Sequence, residues 1–341
     1  MDRTAVFQSL SSSCSLEPLS PRWQGEVKRL YDLLFAAADL PYGQRLPEDY
    51  LRHRLFASSL CSSDCSCMLV APDGKGVGVL LANRRLNPAS AEGEWLWLHL
   101  LAVAPDWQRQ GLGRMLLHSL LERARREGKR GVATALQWSG IWPGVPAGLT
   151  TMEAFCAGTA ARLRPGEMYL AKNLADPWPQ AALDKACSLR EEVTMRAYTD
   201  RHREGLQALL QELFSVGWQH ETLSRIDPAY EPFNGYGLAS TYDPVQPGRG
   251  VWVVTDRDRL VGFAVVQAGA DGTAFFGPVG LRPEWRGQGL GSGLLLATAR
   301  QAQLWGCHTL GLWTSVPLAN GFYRSLGMQL VTTTRHGEWL S

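Results

Sequence analysis

The apolar residues of this chain change period along its length, and the changes mark out its elements. In residues 22–38, Val27, Leu30, Leu33, Leu34 and Ala37 recur at helical spacing and give one buried face. Residues 40–54, interrupted by Pro41 and Pro47, predict a second short helix, and residues 1–15 read as a loose lead-in. Residues 67–71 and 77–82, joined by a turn at Pro72-Asp73-Gly74, form a hairpin pattern. Residues 95–103 are apolar enough for a central strand. A glycine-rich loop follows, then a helix over 111–127 stopped by Gly128, and a strand over 131–136. A Pro- and Gly-rich loop at 138–151, a helix over 152–163 and a short strand over 168–172 complete this half.

The pattern then restarts. A strand at 193–198 and a helix over 204–216, buried through Leu206, Leu209, Leu210 and Leu213, precede a second hairpin at 251–255 and 260–267. A central strand at 273–281, a glycine loop, a helix over 289–305 and a strand at 309–314 come next. A helix over 317–326, stopped by Gly327, and a strand at 328–334 close the order. Gly111 and Gly289 are 178 positions apart, as are Gly113 and Gly291, Pro105 and Pro283, and Trp107 and Trp285; Phe35 and Phe214 are 179 apart. A repeat this long implies two domain-sized copies, not a solenoid. The stretch containing Asp176-Pro-Trp-Pro179 reads as the linker, dividing the chain into 1–174, a linker at 175–192, and 193–341.

Composition narrows the function. A chain of 341 residues, 45% hydrophobic and 19% charged, suits two ordinary globular cores. No apolar run approaches the ~18–20 residues of a membrane span, so no membrane partner is expected. A formal charge of +2 leaves no basic footprint for nucleic acid. Residues 9–15 lack the basic-then-apolar layout of a secretory signal, and seven cysteines are an odd number; both point to reduced thiols in a cytoplasm. Cys61, Cys65 and Cys67 cluster, but three ligands without paired Cys-x-x-Cys spacing predict no metal site.

The two glycine loops carry the candidate chemistry. Each follows a strand ending in a proline turn and opens a helix, so backbone N–H groups and the positive end of the helix dipole converge on one point. Neither loop has the Gly-Lys-Ser/Thr of a Walker phosphate loop, and neither completes G-x-G-x-x-G. Both fit Gln/Arg-x-x-Gly-x-Gly, as Gln108-Arg109-Gln110-Gly111-Leu112-Gly113 and Arg286-Gly287-Gln288-Gly289-Leu290-Gly291. This resembles the acetyl-CoA-binding motif of the GNAT (Gcn5-related N-acetyltransferase) superfamily, and the order of elements in both halves is similar to that family's. The resemblance implies an α/β (α+β) protein of two tandem domains, each a mixed central sheet flanked by helices. It also implies that both sets of loop residues hold the CoA pyrophosphate, with the backbone of Val279 and Leu281 available to the pantetheine arm. The competing reading is that the glycines only make tight strand-to-helix turns.

The halves are unequal near their ends. Asn320-Gly-Phe322-Tyr323-Arg-Ser-Leu-Gly327-Met328 resembles the family segment in which the Asn contacts cofactor and the Tyr protonates the departing thiolate. In the first half the nearest match is Glu153-Ala-Phe155-Cys156, where Cys156 replaces the Tyr and Ala160 the Gly. The resemblance therefore implies Asn320 as a cofactor contact and Tyr323 as the catalytic acid, with the first copy holding cofactor or serving as scaffold. No base is assigned. Neither central strand has a carboxylate, His99 lies on one of them, and His220, Glu221, Glu231 and Asp243 lie in the aromatic-rich stretch 217–250. That stretch, with Trp218, Tyr230, Phe233, Tyr236 and Tyr242, reads as an acceptor pocket or as a self-packed loop. The expectation is an acetyl-CoA-dependent N-acetyltransferase acting on a small-molecule or peptide amine, as monomer or homodimer. The alternative is a non-catalytic acyl-CoA-binding scaffold.

Overall fold

In the computed structural model, residues 14–36, 64–84, 91–134, 144–188, 191–227, 230, 248–269 and 272–341 are described. The first half holds β1 (Ser15–Pro18), α1 (Gln24–Ala36), β2 (Cys67–Val70), β3 (Gly76–Arg84), β4 (Trp95–Val103), α2 (Leu112–Arg126), β5 (Gly131–Thr134), β6 (Val145–Pro146), α3 (Thr150–Gly158) and β7 (Arg162–Asn173). Then come α4 (Gln180–Cys187), β8 (Val193–Ala197), α5 (Arg203–Leu213), α6 (Val216–Leu223), β9 (Val251–Asp256), β10 (Arg259–Ala268) and β11 (Thr273–Leu281). Last are α7 (Leu290–Leu304), β12 (Thr309–Thr314), α8 (Val316–Leu318, running into a π-helical turn at Ala319–Tyr323) and β13 (Gln329–Leu340). No described helix is long and apolar enough to cross a membrane.

The described residues form two compact units, and these cut the chain differently from the division at 174 and 193. The first gathers residues up to Gly166 with Thr332–Ser341, and the second gathers those between Glu167 and Val331. In the first unit the strand order is β1-β2-β3-β4-β5-β13. The C-terminal strand closes that sheet, with Glu338, Trp339 and Leu340 opposite Ala133, Val132 and Gly131. In the second unit the order is β7-β12-β11-β10-β9-β8. There β7 runs antiparallel to β12 from Asn173↔Thr309 to Met168↔Thr314. Each sheet is mixed, because β4–β5 and β11–β12 are parallel and the other pairs named above are antiparallel. The final strand of each unit is thus encoded in the other half of the sequence.

Four local departures from the sequence reading have physical causes. Ser15–Pro18, placed in the lead-in, pairs with β2 as an edge strand. β7 and β13 are each 12 residues long and not short strands, because their polar stretches hide the alternation and Pro165-Gly166 looks like a break. The linker contains α4: its prolines act as helix starters, with Pro179 at the N-cap, and Ala182 is buried in the second core. That stretch is tied down elsewhere too. The buried Lys172 ammonium donates to the Pro177 carbonyl at 3.1 Å and lies 5.0 Å from the Trp178 ring centre, while Gln303 Nε2 donates to the Leu174 carbonyl at 2.8 Å. Finally, the helix expected over 204–216 breaks at extended Phe214, and Ser215 caps a separate α6. The helix expected over 40–54 lies outside the described residues.

The second unit packs apolar side chains on both faces of its sheet. Alternate residues of β9 and β10 divide as the pleat requires. Val254, Ala264 and Val266 join α7, α8 and α4 in one core, and Val253, Phe263 and Val265 join α5 and α6 in the other.

A fragment beginning at residue 193 lacks β7 and leaves the edge of β12 without its six-residue partner. Residues 193–341 alone are expected to aggregate or melt without cooperativity. Residues 167–331 are expected to show a sharp transition by circular dichroism.

Candidate functional site

In the second unit a parallel ladder stops early. There β11 and β12 pair only through Thr273–Phe275 and Thr309–Gly311, although β11 stays on β10 as far as Leu281 and β12 stays on β7 as far as Thr314. Where they part, β11 bulges: Ala264 faces Val279 and Val266 faces Phe276, so Val265 alone opposes Gly277 and Pro278. Beyond the bulge the backbone orientation follows from alternation. The Arg282 amide donates to the Val261 carbonyl at 2.9 Å, so Gly280 also turns its polar groups toward β10. Val279 and Leu281 therefore turn theirs away from β10, into the gap. The first unit has a bulge at the matching place: His99 is the extra residue where β4 runs against β3. It stands 178 positions before Gly277, which accounts for a buried histidine on an apolar strand.

The two loops are built alike. Gln108 Nε2 donates to the Val103 carbonyl at 2.9 Å, and Arg286 Nε donates to the Leu281 carbonyl at 3.3 Å. Gln110 and Gln288 each reach back four residues, to the carbonyls of Asp106 (3.2 Å) and Glu284 (2.9 Å). Gly111 and Gly289 are both N-caps at left-handed φ of 86° and 88°, and neither helix start has a side-chain cap. The first-turn N–H groups, Leu112–Arg114 and Leu290–Ser292, thus lack intrahelical partners and suit an anion. The remaining glycines divide the labour. Gly113 and Gly291 are packing positions: a Cβ there would lie 3.2 Å from the Phe155 or the Phe322 ring. At Gly289 a Cβ would meet the Lys185 carbonyl at 2.3 Å, so α4 closes directly on the loop. Gly287 sits at φ 77°, and the matching Arg109 takes φ 62° without glycine's freedom.

Phe155 and Phe322 thereby fix the register of the two α-helical ends, 167 positions apart, and place Cys156 opposite Tyr323 as the sequence match supposes. Tyr323 is the last residue of the π turn and is buried against Phe276, the residue just before the β11 bulge, with ring centres 6.5 Å apart. Among the described residues its hydroxyl has no hydrogen-bond partner, and burial pushes its pKa up, so it stays a protonated donor. Asn320, three residues earlier, is exposed. Cys156 is fully buried, and burial raises its thiol to about 11. It is a neutral core residue.

The other face of the second sheet holds a group that sequence reasoning missed. Met168, Leu170 and Leu174 point into the core shared with Tyr323, so Glu167 and Tyr169 face the α5–α6 side. Glu167 is mostly buried, and desolvation together with the charge of Glu221 on α6 raises its pKa to about 7. Register supplies its counterpart: Lys172 faces Leu310 where Trp339 faces Val132, and five residues before each stand Glu167 and Thr334. On the same face Tyr169 packs on Trp313 at 5.1 Å, and Phe214 stacks on Trp218 at 5.4 Å and covers Gly280. Trp218 and Tyr230 pack on the α5–α6 core, which supports self-packing for that part of the aromatic-rich stretch. Glu231, Phe233, Tyr236, Tyr242 and Asp243 lie outside the described residues, as does Cys61. Burial raises Cys65 to about 12 and Cys67 to about 11, and among the described residues no group of three His, Cys, Asp or Glu is placed to hold a metal ion.

The acetyltransferase (GNAT) family model matches residues 27–138 and again 204–328, which together make up more than half of the chain. No curated protein matches in sequence. Among solved structures, 96% of the chain superposes on the GCN5-related glucosamine N-acetyltransferase region of a fungal multi-domain GH3 β-N-acetylglucosaminidase, with TM-score 0.75 and 18% identity, spanning 38% of that larger chain. A GCN5-related N-acetyltransferase from Sphaerobacter thermophilus gives TM-score 0.65 at 18% identity, covering 96% of this chain and 95% of its own. A tandem GNAT protein from the clavulanic acid biosynthesis pathway gives 0.65 at 17%, covering 96% and 98%. At these identities the likeness is one of fold.

The loop geometry separates two glycine effects. A left-handed non-glycine residue costs about 1 kcal/mol, so Arg109→Gly is expected to raise stability by about that amount in urea unfolding. Gly289→Ala incurs the same conformational cost and a backbone clash, and is expected to lose about 2 kcal/mol or more.

Proposed function

The chain belongs to the acetyltransferase (GNAT) family, and on that premise we propose that it transfers an acetyl group from acetyl-CoA to a primary amine of a small molecule or peptide, in its second unit. The observation that carries this reading is the contrast between Tyr323, a protonated phenol beside the strand gap, and Cys156, a buried neutral thiol in the corresponding place. The residues fit the donor. Arg286, Gly287, Gln288, Gly289, Leu290 and Gly291 form an uncapped helix start for the pyrophosphate, and Val279 and Leu281 offer backbone groups in the gap to the pantetheine amides. Asn320 lies on the exposed side of the same π turn as Tyr323, where it would be open to a cofactor contact.

The chemistry follows from position. Tyr323 would supply a proton to the sulfur of an acyl group seated in the gap, and the α5–α6 face would be left for the amine. Holding the two reactants together supplies much of the rate. Val279 or Leu281 N–H steadies the developing oxyanion, and Tyr323 protonates the leaving thiolate. The first unit has the same loop at Gln108, Arg109, Gln110, Gly111, Leu112 and Gly113 but Cys156 where the second has its phenol, so we assign it cofactor binding or a scaffold role. The cysteines at 14, 65, 67, 156, 187 and 307 are all free thiols, in keeping with a cytoplasmic enzyme.

Tyr323→Phe is expected to lower kcat by ~10²-fold, a usual loss for a general acid, and to leave acetyl-CoA affinity within twofold. Cys156→Ala is expected to leave turnover unchanged. Release of CoA thiol reads both; loss of turnover only in the Cys156 variant would move the chemistry to the first unit. Tight binding of CoA with no turnover on any amine would favour the scaffold.

A further inference from the structure

We propose that Glu167, delivered to the second unit by β7, is the group that takes the proton from the acceptor, and that the acceptor is an amine carrying positive charge. This rests on the reading of the second unit as the acetyltransferase. Three observations meet here. Glu167 lies one residue beyond the Met168↔Thr314 pair, at the end of β12 where that strand has left β11. It faces the α5–α6 side of the sheet, opposite the core that holds Tyr323, and an amine entering from that side would meet the gap with the two proton-handling groups on opposite faces. A charged neighbour there is Glu221, on the helix that packs over β11, with the buried His220 beside it in sequence. Tyr169, two residues along the same face of β7 from Glu167, packs on Trp313, and Trp218, three residues before Glu221 on α6, stacks on Phe214; carboxyls and aromatic rings are the chemistry that holds an ammonium group. The first unit has Thr334 at the corresponding register position and Cys156 in place of the phenol, so both proton-handling groups are missing from the same copy.

The proton balance closes. The acceptor ammonium gives one proton to the Glu167 carboxylate, and the freed amine nitrogen bonds to the thioester carbon. As the C–S bond breaks, the thiolate takes the Tyr323 proton. The nitrogen loses its second proton, which returns to Tyr323 through water. Glu167 then releases its proton to solvent, so the net products are the acetamide, CoA thiol and one proton. A carboxyl that titrates near 7 exchanges protons readily at neutral pH.

The test uses the full chain with acetyl-CoA and three amines, 1,4-diaminobutane, glucosamine and glycinamide, and follows thiol release from pH 5.5 to 9. Acetyl-CoA affinity is measured by calorimetry in parallel. Wild-type kcat/KM is expected to fall on the acid side with an apparent pKa near 7. Glu167→Gln should lower it by ~10²-fold and abolish that limb, while Glu167→Asp restores part of the rate. Glu221→Gln, which removes a neighbouring negative charge, should move the limb to lower pH. A purely structural role is excluded by stability. Ionising a buried carboxyl costs stability as pH rises from its ordinary range through 7, so Glu167→Gln should melt higher than wild type at pH 8 and not at pH 4. An unchanged rate and limb in Glu167→Gln would overturn this inference alone. Absence of acetyl-CoA binding, or of thiol release with all three amines, would overturn the acetyltransferase reading on which it rests.

Discussion

A sheet that stays fully paired has nothing to offer a substrate. The second unit makes its site by ending one ladder, β11 to β12, three residues in, while the ladders on either side continue. That interruption leaves backbone donors and acceptors facing an opening, and unsatisfied backbone groups are costly where water is excluded. The loop answers part of this cost: Arg286 occupies the Leu281 carbonyl, and Gln288 binds the loop back on itself. The remaining amides, those of the α7 start and of β11 beyond its bulge, are spare hydrogen-bonding capacity fixed in place before any ligand arrives.

Comparison of the two copies shows which parts of this arrangement are architecture and which are chemistry. The bulge, the side-chain clips, the left-handed N-cap glycine and the aromatic ring on the second glycine occur in both. They are what a strand-gap-helix unit needs in order to fold. Three of the positions that differ separate the copies chemically: Arg109 against Gly287, Cys156 against Tyr323, and Thr334 against Glu167. The first costs backbone strain in the first copy. The other two put a neutral thiol and a hydroxyl where the second copy has a phenol and a carboxyl, and a neutral group costs less to bury than a charged one. The second copy keeps a buried carboxyl near neutrality, a feature that opposes stability and that packing alone does not require.

Much of this was legible in the sequence. The 178-residue repeat, both glycine loops, and the strands at 95–103, 273–281 and 309–314 coincide with the observed elements, because long apolar runs bounded by proline and glycine admit few alternatives. The contrast of Tyr323 with Cys156 was readable because a local spacing carries it. Glu167 was not readable. It follows Pro165-Gly166, sits in a strand whose outer residues are polar, and belongs by sequence to the half that has Cys156 in place of Tyr323. Periodicity reports which face a residue takes within its own element; it carries no information on which distant edge that element will join. The α4 helix was missed for the opposite reason: its prolines suggested a break where they begin a helix.

The exchange of β7 and β13 has a genetic meaning. The stretch of gene that completes the second unit lies within the first repeat, and the stretch that completes the first follows the second repeat. A substitution at position 167 would map to the first repeat while altering the chemistry of the second. Swapping one repeat for a homologue's at the linker would give each unit a foreign last strand. The two copies can diverge in what they do, yet neither can be lost, replaced or shuffled without carrying away part of its sibling.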